Sequence, residues 1–198
     1  LMCEGISYLA GSELPCVVVN CQRGGPGLGT IQPGQADYYQ AVYGGGNGDY
    51  RCLVLAPATV QEMADFMGLA KDLMFKWRMP AIILSDGLIG QMMEKVVLPE
   101  YQPRRTDEEI REQCPWATNG LGLKNRKYNF TTSLELVAQP MQDRNRAMTA
   151  KYNEICEKEV RYEEYRMEDA EICVVAFGVC ARVARNAIEA ARAKGMKV

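Results

Sequence analysis

The chain has 198 residues, 47% of them apolar, and a formal net charge of −2. That composition supports one large domain or two small ones with a sizeable core. It argues against an electrostatic nucleic-acid surface, and no apolar run approaches the ~20 residues of a membrane span.

There is no histidine, so Ser-His and Cys-His nucleophiles and His-ligated zinc are excluded. The eight cysteines form no C-x-x-C pair and lack iron–sulfur spacing. Several sit in apolar runs, where a thiol behaves as a small hydrophobe. We expect buried, reduced thiols and a cytoplasmic protein. No signal peptide is legible. The opening Leu1-Met2-Cys3-Glu4-Gly5-Ile6 reads as mid-helix, so the chain is expected to be part of something longer.

The elements follow in order. Met2 to Ala10 reads as the end of a helix stopped around Gly11. Cys16 to Cys21 is apolar and β-branched, as in a buried strand. Gly24 to Gly34 is loop, and Gln35 to Val42 suits a short helix broken by Gly44 to Gly48. Cys52 to Leu55 reads as a second strand. Thr59-Val60-Gln61-Glu62 is a capping box opening a helix over Val60–Trp77. Met63, Phe66, Met67, Ala70, Leu73, Met74 and Trp77 recur at steps of three and four and define its apolar face. Arg78 complements the helix dipole and Pro80 ends the run. Ala81 to Leu84 is a third strand, which completes a right-handed βαβ unit with a parallel pair.

From Pro99 to Thr132 the pattern dissolves into a connector carrying Trp116. Gln139 to about Arg161 is a charged helix with a narrow stripe of Met141, Met148, Tyr152 and Ile155. Glu154–Lys158 and Glu157–Arg161 are expected i, i+4 pairs. Ile172 to Phe177 reads as a fourth strand, Gly178 as a turn, and Ala181 to Ala193 as an amphipathic helix stopped by Gly195. Met196-Lys197-Val198 would begin another strand.

The most pointed chemistry lies between Pro15 and Arg51. The glycine-rich loop after Gln22 is either a surface loop or an anion nest of backbone amides. It is not a P-loop, because no Gly-Lys-Ser/Thr follows, and its glycines lack dinucleotide spacing. Arg23 stands where ligands sit in an open α/β sheet, at the carboxyl end of a strand. It is either a solvated arginine or a fork that grips a carboxylate. Gln32, Gln35 and Asp37 suit hydrogen bonding within the loop. Asp86-Gly87 either faces a cleft or forms a turn.

These residues also carry a resemblance. Arg23-Gly24-Gly25-Pro26-Gly27-Leu28-Gly29-Thr30 comes first, followed by Gln32-Pro33 and Gln35-Ala36-Asp37-Tyr38. Gly44-Gly45-Gly46 then precedes Gly48-Asp49-Tyr50-Arg51. Val54-Leu55-Ala56-Pro57, Val60-Gln61-Glu62 and Leu84-Ser85-Asp86-Gly87 continue in order. Together they resemble the alpha subunit of 2-oxoacid:ferredoxin oxidoreductases, well over 1–101 and weakly from about Arg161 on. The resemblance implies an α/β fold with a mostly parallel sheet of the thiamine diphosphate-binding, pyrimidine-domain type. Residues 1–101 would be that domain without its N-terminal part and 102–166 a connector with a long charged helix. Residues 167–198 would start a truncated, transketolase C-terminal-like α/β domain.

The implied reaction is oxidative decarboxylation of a 2-oxoacid with coenzyme A, giving acyl-CoA and carbon dioxide, with electrons passed to ferredoxin. Leu28-Gly29-Thr30-Ile31 and Met92-Met93 lean toward the 2-oxoisovalerate type. By the resemblance Arg23 binds the substrate carboxylate, and Gly24, Gly25, Thr30, Gln35 and Asp37 lie in a loop near the active site. Thiamine diphosphate would be shared with a beta subunit carrying the diphosphate and magnesium site. Gamma and ferredoxin-like delta subunits would complete the complex, with iron–sulfur clusters on partners and no metal on this chain. The family's cofactor-activating glutamate would lie upstream, and its Tyr-Pro-Ile-Thr-Pro and Gly-Asp-Gly motifs are absent from these residues. A different reading stands beside this one: a non-catalytic α/β ligand-binding or regulatory module that keeps the fold.

Overall fold

The computed structural model describes residues 2–118 and 128–198. Part of the connector expected over Pro99–Thr132, residues 119–127, lies outside the described residues, as does Leu1. The helix α1 (Met2–Gly11) leads into β1 (Cys16–Gln22), α2 (Tyr38–Tyr43) and β2 (Leu53–Leu55). Then come α3 (Val60–Trp77) and β3 (Pro80–Asp86). Three helices follow: α4 (Asp107–Gln113), α5 (Ala138–Lys158) and α6 (Gly178–Arg192).

Every residue of β3 is buried. Its Ala-Ile-Ile-Leu run suits a strand covered on both faces and paired on both edges. β1 lies parallel on one side, from Cys16↔Pro80 to Gln22↔Asp86, and β2 lies parallel on the other, giving the order β1-β3-β2. Side chains alternate across the sheet. Ala81, Ile83 and Leu53 face α3, where they pack with Ala70, Leu73 and Met79. Ile82 and Leu84 face the other way and pack with Ala41 of α2, Val18, Val54 and Phe177.

The expected cap of α3 forms. Thr59 Oγ1 accepts from the Glu62 amide at 3.0 Å, and the Glu62 carboxylate reaches back to the Ala58 amide at 2.6 Å. Arg78 closes the helix in the left-handed region, with φ 48°, and its guanidinium lies 4.7 Å from the Trp116 ring centre. Trp116 thereby holds the connector to the end of α3. The apolar face differs from expectation at one position. Met67 is 43% exposed, while Leu69 joins Met63, Phe66 and Met74 against the core. The sheet, with Tyr152 and Ile155 of α5, packs on the other residues of that face and leaves Met67 outside.

Four further expectations are corrected. The connector contains α4, opened by a Thr106–Glu109 capping box that is legible in the sequence and outweighs the surrounding prolines. α5 ends at Lys158, so Glu157 and Arg161 do not share a helical face; Arg161 pairs instead with Glu159, while Glu154–Lys158 forms as expected. No strand forms over Ile172–Phe177 or Met196–Val198. A strand needs a ladder, and there the Lys197 carbonyl meets only the Glu171 and Ile172 amides. Finally, Cys21, Cys156, Cys173 and Cys180 are exposed rather than buried. Cys173 lies in the stretch that stays out of a sheet. Cys21 lies on β1, whose outer edge has no partner strand among the described residues. Cys114 is buried as expected, and Cys52 is half-buried, with burial pushing its thiol up to about 12.

Glu159 joins the C-terminal ends of α3 and α5. Its side chain is only 5% exposed and accepts from Lys76 Nζ at 2.6 Å, Trp77 Nε1 at 2.8 Å and Arg161 Nη2 at 3.0 Å. These donors, Lys76 foremost and then Trp77, pull its carboxyl down to about 2.

Two outcomes follow. Leu73→Ala, in the buried arc of α3, is expected to destabilise by about 2–5 kcal/mol. Met67→Ala is expected to stay within about 0.5 kcal/mol of wild type, and chemical denaturation of the pair checks the face assignment. The Glu159 carboxylate has a depressed folded pKa, so its stabilisation is present above the ordinary carboxylate value of 4.5 and is lost as pH falls through about 2. Melting temperatures measured across that window should fall less steeply for Glu159→Gln than for wild type. Equal slopes would contradict the assignment.

Candidate functional site at the carboxyl end of the sheet

β1 and β3 end side by side in Gln22 and Asp86, which are register partners, each 1% exposed. A polar side chain buried this deeply must be hydrogen-bonded, and both are. Gln22 Oε1 accepts from the Asp37 amide at 3.0 Å, and the Gln22 carbonyl accepts from the Gly87 amide at 3.0 Å. Asn20, on the same face of β1, donates from Nδ2 to Asp37 Oδ2 at 3.2 Å. Asp37 is therefore clamped to β1 by both its backbone and its carboxylate. Asn20 and Gln22 were not singled out in the sequence. Their signal was available: they continue the face of Val18 at a spacing of two and place amides where a core strand should be apolar.

Between Gln22 and Asp37 the loop closes on itself. Arg23 and Pro33 form an antiparallel bridge. The Gly24 amide donates to the Gln32 carbonyl at 3.2 Å, Thr30 to Gly24 at 2.7 Å and Gly29 to Pro26 at 3.0 Å. The Gln32 amide donates to Thr30 Oγ1 at 3.2 Å. These four amides are used inside the loop, so they do not present an open anion nest. Gly29 has φ +58°, and a Cβ there would stand 1.9 Å from the Gly24 carbonyl oxygen. Only glycine fits. Gly25 has open space around it.

The structure thus brings Gly24 and Thr30 together and leaves Arg23 exposed at the strand end. Arg23 makes no ion pair among the described residues. Gln35 is turned outward from the loop, with Nε2 donating to the Phe177 carbonyl at 2.7 Å. Asp86 is a turn former, as one of its two readings had it. Its Oδ1 accepts from the Leu88 and Ile89 amides at 2.9 and 3.0 Å, and Oδ2 accepts from the Val179 amide at 3.3 Å. The last bond docks α6 at the carboxyl end of the sheet, which the sequence did not announce.

Beside Asp37 lies a cavity of about 190 Å³. Val18 and Ile82 line its apolar side, Ile6 of α1 closes it, and Asn20, Asp37 and Gln40 supply polar atoms. Among the described residues no group of three or more His, Cys, Asp or Glu is placed to hold a metal ion. No helix among them is long and apolar enough to cross a membrane.

Residues 1–171 match the family described as pyruvate flavodoxin/ferredoxin oxidoreductase, thiamine diphosphate-binding. The chain belongs to this family. The ketoisovalerate oxidoreductase subunit VorB of Methanothermobacter marburgensis is 48% identical over 195 residues, covering 98% of this chain and 53% of that protein. The 2-oxoglutarate synthase subunit KorA of Methanocaldococcus jannaschii is 31% identical over 215 residues, covering 100% of this chain and 58% of that protein. The chain spans about half the length of these relatives. A solved 2-oxoglutarate:ferredoxin oxidoreductase from Magnetococcus marinus, with 2-oxoglutarate, coenzyme A and succinyl-CoA bound, has the same fold. Its TM-score is 0.75 at 24% identity, over 100% of this chain and 38% of that one. The expected α/β fold with a parallel sheet is thus present, as a family member's thiamine diphosphate-binding domain.

Two glycine substitutions test the loop. Gly27 has φ +67° but open space around it, so Gly27→Ala meets only the backbone cost of about 1–2 kcal/mol. Gly29→Ala adds the clash with Gly24 and should be clearly worse. Trypsin cleavage after Arg23 reads the difference: it should be faster in Gly29→Ala than in Gly27→Ala, and equal rates would contradict the loop geometry.

Proposed function

We propose that this chain is part of the alpha subunit of a 2-oxoacid:ferredoxin oxidoreductase. The family match over 1–171 carries this reading. The reaction joins a 2-oxoacid and coenzyme A, releases carbon dioxide and forms the acyl thioester. The electron pair left by the carboxylate passes to ferredoxin, and the thiol proton goes to solvent. The higher identity to the ketoisovalerate subunit than to the 2-oxoglutarate subunit supports a branched-chain substrate, 2-oxoisovalerate.

Arg23 is the residue assigned to the substrate carboxylate. It ends β1 where ligands sit in α/β sheets, is exposed, and has no competing carboxylate among the described residues. Its planar fork pairs with a carboxylate through two parallel hydrogen bonds. Gly24 and Gly25 leave the approach free of side chains. Thr30 holds the loop's shape through its backbone and hydroxyl, and Asp37 anchors its far end.

Thiamine diphosphate, when bound, supplies the carbanion and electron sink that 2-oxoacid decarboxylation needs. The residues present suit its pyrimidine ring. A flat heterocycle fits an apolar surface such as Val18 and Ile82, with Asp37 and Gln40 offering polar atoms at its edge. They do not suit the diphosphate and its metal, for which the described residues offer no carboxylate cluster. In this reading a beta subunit holds the diphosphate and magnesium. Gamma and delta subunits carry iron–sulfur clusters toward ferredoxin, and the complex is cytoplasmic. Residues 1–101 are the pyrimidine-type domain, 102–166 the connector and 167–198 the start of a second α/β domain. The family match ending at residue 171 supports the last boundary.

Dye reduction dependent on 2-oxoacid and coenzyme A, by the complete complex, tests the function. Absence of that activity with every 2-oxoacid tried would refute it. Arg23→Ala should lower kcat/KM for the 2-oxoacid by on the order of 2–5 kcal/mol in the assembled site. Arg23→Lys, which keeps the charge but not the fork, should lose less. Wild-type kinetics in Arg23→Ala would remove Arg23 from the site.

A further inference from the structure

The loop from Gly24 to Ala36 hydrogen-bonds almost wholly to itself. Among the described residues, the one hydrogen bond that leaves it for a residue outside 22–37 is Gln35 Nε2 to the Phe177 carbonyl, at 2.7 Å. Phe177 and Gly178 are 142 and more residues away in sequence, at the entry to α6.

That entry is built to receive the bond. Gly178 has φ +58°, and a Cβ on it would stand 2.8 Å from Gln35 Nε2 and 3.5 Å from Asp86 Oδ2. A side chain at 178 would therefore push Gln35 away. The Phe177 ring lies 5.7 Å from that of Tyr38, the first residue of α2, and packs with Ala41, Ile82 and Leu84. Asp86 fixes the next residue through the Val179 amide. Arg182, one turn on, pairs with Glu94 at 2.6 Å, and Glu94 also accepts from the Val60 amide of α3 at 3.2 Å. Residues 177–182 thus rest on the ends of β3, α2 and α3 together, and Gln35 ties the glycine loop to that platform.

A loop with this much glycine has a large conformational entropy to lose, and internal bonds between its own residues cannot fix its position relative to the sheet. We infer that Gln35 is a positioning residue: it makes the placement of the Arg23 loop depend on the docking of residues 177–179. This deepens the proposed function and, for its kinetic part, rests on it. The α6 segment then sets substrate affinity without touching substrate. Anything that lifts 177–179 from the sheet, such as a movement of the region that follows, releases the loop.

The test uses the complete complex with Gln35→Glu and Gln35→Lys. Glutamate is nearly isosteric but turns the donor into an acceptor facing a carbonyl, whereas lysine keeps a donor. Hydrogen exchange of a peptide covering 24–36 should quicken about tenfold in Gln35→Glu, with a control peptide from α3 unchanged, and Gln35→Lys should lie nearer wild type. KM for the 2-oxoacid should rise about threefold or more in Gln35→Glu, with kcat little altered. Exchange within about twofold of wild type overturns the inference. So does faster exchange with an unchanged KM, which would make Gln35 a merely structural tie. If the wild-type complex uses no 2-oxoacid, the functional reading falls. The exchange measurement then still decides whether 177–179 positions the loop.

Discussion

The burial of β3 is the constraint on which the rest depends. A strand with both faces covered and both edges paired cannot shift register by one residue without sending every side chain to the opposite face, where its packing partners no longer match. Its parallel partners must therefore end where it ends. That condition sets Gln22 beside Asp86, and those two side chains then fix everything at the carboxyl end: the loop base at Asp37, the turn at Leu88–Ile89 and the entry to α6. The site is an outgrowth of the register.

The two covers of the sheet differ in kind. α3 lies along one face as a long, capped, amphipathic helix, and α5 adds Tyr152 and Ile155 to the same cluster. Glu159 then joins α3 and α5 at their C-terminal ends, away from the glycine loop. The other face carries the short α2, one turn of buried contact at Ala41, and Phe177 from the far end of the sequence. Its cover is assembled from pieces, and the cavity beside Asp37 lies where those pieces leave a gap. A thick, continuous layer on one side gives stiffness; a divided layer on the other leaves room for a ligand and for adjustment.

Polar burial follows the same division. Gln22, Asp86 and Ser85, at the carboxyl end, are buried, whereas the centre of the sheet is apolar. Buried amides and carboxylates are costly when unpaired, so they are tolerated where loops bring backbone donors and acceptors to meet them. The loops that would bind substrate are therefore the same ones that satisfy the Gln22 and Asp86 side chains, whereas Ser85 Oγ has no partner among the described residues. The shape of those loops cannot change without leaving Gln22 or Asp86 unpaired.

Local pattern in the sequence determined the strand–helix–strand core, the cap of α3, the charged helix α5 and the need for glycine after Gln22. Each of these depends on neighbours a few residues apart: Thr59 with Glu62, Glu154 with Lys158, the alternation around Val18. The motif order also carried family membership and, with it, attention to Arg23. Tertiary structure alone decided that Met67 faces out, because that depends on which distant segments pack against α3. It alone decided that Ile172–Phe177 stays out of a ladder, because strand propensity is satisfied only by a partner. The union of Gln35, Asp86 and Gly178 was not legible either. Hydrogen bonds from Gln35 to Phe177 and from Val179 to Asp86 leave no periodicity in the chain, and only the folded register of β1 on β3 brings them together around Gly178.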